Sequence, residues 1–241
     1  MNTKIRFEVD SSKFSEITGS PLAYYASDNM RKAFQAPNIA SKVDCKSGIA
    51  AGDDTYIKLW FEVDLLRIKF DCCTYNDMGD YKWFPMNSGG DFRKWYGNHT
   101  KIVDLWRDGY NIRNNVKNYR LREKEYYFQK GITWGRITSA QIAFRDVLEG
   151  TLFGDAGPIG FVARNKGYIL AMLSSNVVAA LLECTNPTLN FQIHDVMNLP
   201  LILDNDKIDV VEQIVEQNID ISKKDWDSFE SSWNFKKHPL I

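Results

Sequence analysis

Between residues 82 and 145 the chain carries thirteen Lys and Arg against five Asp and Glu, although the whole protein sums to a formal charge of −1. The compensating acid lies in residues 204–230, with nine Asp and Glu against three Lys. Aromatic rings crowd the basic stretch: Trp83, Phe84, Phe92, Trp95, Tyr96, Trp106, Tyr110, Tyr119, Tyr126, Tyr127, Phe128 and Trp134. Guanidinium and ammonium groups neutralise phosphates, and Tyr, Trp and Arg planes stack on bases and sugars. Charge segregated in this way suits a surface that meets a polyanion. The competing explanation is a solvated basic face over an ordinary aromatic core, in which Trp83 and Trp134 would be core residues.

Covalent and metal chemistry finds little support in the residues. His99, His194 and His238 lack metal-ligand spacing. There is no nucleophile elbow and no Walker loop. The run from Gly154 to Gly160 is glycine-rich but lacks dinucleotide or S-adenosylmethionine spacing, and Pro158 removes an amide, so it reads as a turn. Asn186-Pro187-Thr188-Leu189 lacks the second Pro and the aromatic of an adenine-flipping motif, so it reads as a helix end.

Elements that position these groups follow from periodicity and punctuation. A strand is expected at residues 4–9, and a helix at 22–34 after a Ser20 cap, stopping before Pro37. Strands are expected at 56–63 and 65–73, with a hairpin-type dipeptide at Asp108-Gly109. A charged helix is expected over 111–125. Residues 126–133 and 137–144 look like strands joined by a Trp134-Gly135 turn. Asn165 would cap one helix over 166–183, and Asp206 another over 207–218, with a further helix start at Ser222–Asp225. Strands and helices mix without a β-α-β rhythm, which points to the α+β class.

At 241 residues the chain can bury a substantial core. Cys45, Cys72, Cys73 and Cys184 include no C-x-x-C pair, which fits a reduced, cytoplasmic setting. Residues 1–13 contain no apolar run of the signal-peptide kind, and the apolar segment 168–182 is too short for a membrane span. The organisation expected is one domain over 1–203, divisible into lobes at about 1–75 and 76–203, followed by a helical acidic segment at 204–241.

Longer motifs carry a family resemblance. KWFPMNSGGDFRKWYGN (82–98), EYYFQKGITWGRITS (125–139) and TNPTLNFQIHDVMNLPL (185–201) resemble signatures of PglX, the adenine-specific DNA methyltransferase family of BREX phage-defence systems. The tail at 215–240 resembles the region that follows them. Residues 14–34 and 47–64 are similar to the same enzymes and to type IIG restriction–modification proteins. The family's catalytic domain, with its cofactor loop and Asn-Pro-Pro-Tyr motif, would lie upstream and is not represented here, nor is the helical region expected after the tail.

The resemblance therefore implies a target recognition module, excised or naturally split, that reads double-stranded DNA. S-adenosylmethionine would belong to the parent enzyme, with no cofactor in this chain and no membrane partner. Further partners would be the catalytic domain and other BREX subunits, and the alternative is a protein-interaction module docking on them. Lys82, Arg93 and Lys94 would hold phosphates, and Trp83, Trp95 and Tyr96 would pack on sugar or base. Lys130, Thr133, Trp134, Arg136 and Ser139 would sit on a turn entering a groove. Arg136 and Arg145 are the candidate guanine readers. The rival role for Arg136 is an ion pair with Glu125 or Asp146.

Overall fold

A computed structural model describes residues 8, 10–17, 19, 21–138 and 141–241. It contains two four-stranded sheets and six α-helices among those residues. The first sheet is ordered β1-β8-β5-β6, from β1 (Val43–Lys46), β8 (Ile159–Val162), β5 (Gly131–Trp134) and β6 (Phe144–Val147). The second is ordered β2-β4-β3-β7, from β2 (Ile57–Leu59), β4 (Lys101–Asp104), β3 (Trp83–Asn87) and β7 (Leu152–Phe153). All pairings are antiparallel except β3 with β7. Each sheet takes one strand from residues 1–75 and three from residues 76–203. This is the α+β arrangement anticipated from the sequence.

Alternation decides which face each strand buries. In β1, Val43 and Cys45 point inward while Asp44 faces solvent. These two residues join Ile132, Trp134 and Phe144 in a core covered by helices. The covering helices are α3 (Lys166–Leu173), α4 (Asn176–Thr185), α5 (Ile193–Met197) and α6 (Ile208–Trp226). The second sheet builds its own core from Phe84, Met86, Val103, Leu105, Ile112, Tyr127, Phe128 and Leu152.

Several elements differ from expectation, for physical reasons. The expected 22–34 helix is only α1 (Asp28–Ala33), with Ser27 Oγ accepting from Met30 N at 3.3 Å. The buried Arg31 guanidinium holds Ala26 O, which keeps residues 22–26 in turns. Ser20 and most of the expected 4–9 strand lie outside the described residues. Residues 65–73 form no strand, because Asp64 caps a 3-10 turn at Leu65–Arg67 and only Ile68 bridges to Trp83.

The charged helix is α2 (Trp106–Asn115), which ends where Val116 becomes extended. Asp108-Gly109 is not a hairpin. Arg107, Asp108 and Gly109 have φ of 46°, 61° and 74° and form a left-handed opening to α2. β5 and β6 do pair, but nine residues separate them rather than a tight turn at Trp134-Gly135.

The 166–183 helix is broken at Ser174-Ser175, where α3 and α4 bend by 64° and Ser175 caps the second segment. Among the described residues no single helix is long and apolar enough to cross a membrane. The expected helix start at Ser222 lies inside α6. The apolar spacing Val211, Val215, Ile219 continues to Trp226, so the helix has a buried face along its length.

α6 is bound to α3 by chemistry as well as by packing. Asn165 is left-handed (φ 59°) and its side chain makes no cap. Glu212 of α6 accepts instead from Gly167 N and Tyr168 N at 3.2 and 3.0 Å, which satisfies the free amides of α3. A Cβ at Gly167 would stand 2.3 Å from the Glu212 carboxylate. Beyond α6 the chain crosses to the second sheet. Trp60 Nε1 donates to Ser231 O at 2.9 Å, and Trp233 packs on Phe70 with ring centroids 5.3 Å apart.

Candidate nucleic-acid interface

The two sheets meet where β3, β5 and the β7–β8 connection end side by side. Asn87 Nδ2 of β3 donates to Thr133 Oγ1 of β5 at 2.7 Å, and Thr133 donates onward to Pro158 O at 2.8 Å. Gly154 N donates to Asn87 O at 2.8 Å and Arg136 N to Ala156 O at 3.0 Å. Gly157 lies so close to Ser88 that a Cβ there would meet its backbone at 2.8 Å. The glycine-rich run is thus a turn, as its sequence suggested, and it serves as a connector between the sheets.

On the outer edge of this seam two arginines share one carboxylate. Arg136 Nη1 donates to Asp155 Oδ2 at 2.6 Å. Arg120 pairs with Asp155 Oδ1, and that oxygen also accepts from Ser47 Oγ at 2.6 Å. Arg120 Nη2 reaches Ser47 Oγ at 2.8 Å, and Arg120 Nε reaches Gly48 O at 3.2 Å. Burial works to raise the Asp155 carboxyl. The hydrogen bonds from Ser47 and Arg120 and the charges of both arginines outweigh it and hold the group below its usual range. The arginine side chains keep 41% and 31% of their surface, so the cluster is open to solvent and has an excess positive charge.

The residues singled out from the sequence fall into three environments. Arg136 and Lys130 are on the surface, Arg136 half-buried against Asp155 rather than paired with Glu125 or Asp146, and Lys130 exposed just before β5. Lys82, Arg93, Lys94 and Trp95 are half-buried and engaged within the chain. Lys82 lies 3.4 Å from Asp104, and Lys94 donates to Ser174 O at the end of α3 at 3.0 Å. Arg93 pairs with Asp225 of α6 at 2.7 Å and lies over the Trp226 ring. Trp95 has φ of 70°, and its backbone bonds to Phe144 and Asp146 of β6.

Tyr96, Thr133, Trp134 and Arg145 are buried. Expecting them to touch a duplex is corrected by what they do instead. Tyr96 stacks on His99 with centroids 4.6 Å apart, and Trp134 Nε1 donates to Phe191 O at 3.0 Å. Arg145 donates to Ser88 O at 3.1 Å beneath the Gly89-Gly90 loop, and burial lowers its pKa to about 10. Trp83 is a core residue as well. Ser139 lies outside the described residues.

Arg120, Asp155 and Ser47 were missed. They come from three segments, 35 to 108 residues apart, each of which locally reads as loop or charged helix. Ala50 and Arg120 exchange both backbone hydrogen bonds, which places the Arg120 side chain beside Ser47 and Gly48. No pattern within any one segment announces that pairing.

No protein-family model matches the chain. Over its whole length it is 33% identical, across 251 residues, to the adenine-specific methyltransferase PglX of Lacticaseibacillus casei (strain Zhang). Over 95% of its length it is 34% identical to the adenine-specific methyltransferase BrxX of Escherichia coli O9:H4 (strain HS). The chain spans about a fifth of these relatives, 21% and 18% of their lengths. It is PglX-like from end to end.

Proposed function

We propose that this chain is the target recognition module of a PglX-like adenine-specific DNA methyltransferase acting in BREX phage defence in the bacterial cytoplasm. The observation that carries this reading is likeness along the whole chain to two adenine-specific methyltransferases that are about five times longer. The methyl-transfer machinery and S-adenosylmethionine are assigned to the remainder of such an enzyme. This chain's task is to read a duplex sequence and hold it while an adenine is flipped out elsewhere.

The surface chemistry supports that task in a revised form. Arg136, Arg120 and the exposed Lys117 and Lys130 offer cations to a duplex. Phosphate contacts would position the module and a few base-edge contacts would specify the target. The organisation proposed remains recognition domain followed by an acidic helical segment, with α6 held against the domain through Glu212, Asp225 and Trp226.

A second reading, docking on the catalytic domain or on other BREX subunits, is favoured by one feature. Ala171, Met172, Val177, Val178, Ile202 and Val211 line an apolar cleft between α3, α4 and α6, with Val177 and Ile202 exposed. Salt dependence separates the two. A labelled duplex titrated with the chain at rising salt should lose affinity with a log–log slope of about −0.9 per phosphate contacted. No duplex binding at low salt, or binding indifferent to salt, refutes the DNA reading and leaves the docking one.

A further inference from the structure

We infer that Arg120 and Arg136 form one reader of a guanine edge, with Asp155 as its positioning residue; this rests on the duplex-recognition reading above. Each Asp155 oxygen takes one guanidinium, Oδ1 that of Arg120 and Oδ2 that of Arg136. Both arginines are also anchored through their backbones. Arg136 N donates to Ala156 O, and Arg136 O accepts from Phe191 N at 2.7 Å. Arg120 exchanges hydrogen bonds with Ala50 at 2.8 and 2.9 Å. Two cations on one anion leave a net positive charge at a site open to solvent. Arg120 spends Nε and Nη2 on Gly48 O, Ser47 Oγ and Asp155 and keeps Nη1. The paired donors that match the O6 and N7 acceptors of guanine therefore come from the two guanidiniums together, and held in place they lose little freedom on binding.

A phosphate presents similar acceptors, and the surroundings decide between the two. A cavity of about 390 Å³ adjoins Asp155 and is lined by Ala50, Gly52, Asp53, Asp54, Ser88 and Lys101 among others. Apart from Asp155, which the two arginines outweigh, its charged lining is Asp53 and Asp54 against Lys101, which disfavours a phosphate there and tolerates a neutral base edge. Ser47 completes the brace, since its hydroxyl donates to Asp155 and accepts from Arg120. Without the brace Arg136 would be a mobile surface charge, able to meet phosphates anywhere, and Arg120 would keep only Gly48 O.

The test uses the full 241-residue chain, a pool of duplexes with randomised centres, and sequencing of the bound fraction at low salt. The unaltered chain should enrich duplexes with guanine at a defined position. Arg120→Lys and Arg136→Lys keep the charge and lose the fork. Each should lose about ten- to a hundredfold of preference at that position, with total affinity changed far less. Asp155→Asn should keep or raise total affinity, steepen its salt dependence and flatten the preference. A merely structural Asp155 would lower affinity and leave the preferred sequence intact.

Melting curves accompany each variant. Should Asp155→Asn fail to fold, Ser47→Ala loosens the same carboxylate and removes one hydrogen bond of Arg120 while both arginines stay in place, and should flatten the preference in the same direction. An unchanged preferred sequence in both lysine variants, or one without guanine, overturns the inference while the duplex-recognition reading stands. Absence of duplex binding by the unaltered chain overturns both.

Discussion

Thr133→Val tests most directly whether the seam between the sheets is structural or a reading surface. The substitution is nearly isosteric, so it opens no cavity, and Val suits a strand. It removes one hydroxyl that accepts from Asn87 Nδ2 at 2.7 Å and donates to Pro158 O at 2.8 Å. Asn87 Nδ2 then has only Gly157 O at 3.5 Å, and Asn87 Oδ1 is already without a hydrogen-bond partner among the described residues. Thr133 is fully buried, so water cannot replace the lost hydroxyl from outside. Leaving buried polar groups unsatisfied costs about 1–3 kcal/mol. In a protein of this size that corresponds to a melting temperature lower by roughly 2–12 °C. Thr133→Ser keeps both hydrogen bonds and deletes one methyl, for about 1 kcal/mol.

Urea unfolding followed by tryptophan fluorescence, at constant m, measures both variants. The Val variant should be the less stable of the two and should bind duplex with unaltered sequence preference per folded molecule. A Val variant within about 0.5 kcal/mol of the parent refutes the strut, since surface substitutions fall in that range. Normal stability with altered base preference would return Thr133 to the reading surface.

Replacing Arg93 and Lys94 together with Ala should lower stability by about 1 kcal/mol, since the Arg93–Asp225 pair is partly exposed and the stacking on Trp226 is modest. The salt slope of duplex binding should not change, and a flatter slope would show that these residues leave α6 to meet phosphates. Burial, and then the nearby Arg145 charge, push the His99 pKa down to about 3, so the folded protein resists protonating it. The unfolded chain protonates near 6.5, so stability should fall as pH drops from about 6.5 towards 3. His99→Phe, which can still stack on Tyr96, should lose less over that window, and equal losses in urea titrations would exclude His99 as the cause. Incubated with labelled S-adenosylmethionine and DNA, the purified chain should transfer no methyl groups, and sustained transfer would place catalytic machinery within it.

Much of the fold was legible because local rules and tertiary demands agree along most of the chain. The strand expected at 56–63 contains β2, and the one expected at 126–133 overlaps β5. The helices expected at 166–183 and 207–218 contain α3, most of α4 and the first half of α6, and glycine marked the connector between β7 and β8, whereas β1 was not foreseen. Where the rules failed, a particular side chain had intervened, from a few residues away or from another element. Arg31 reaches back to Ala26 O and shortens α1, while Glu212 of α6 caps α3 where the left-handed Asn165 cannot.

The residues alone determined the α+β class, the segregation of basic and acidic charge, and the likeness to PglX, because each is a property of composition or of contiguous motifs. Only the tertiary structure decided which cations are available. A sequence counts Arg93, Arg136 and Arg145 alike. Folding sets the first against Asp225, shares the second's carboxylate with Arg120, and buries the third beneath Ser88. The physical reason is that a charge's role depends on its partners and its access to water, and the chain brings those together from segments that carry no mark of one another.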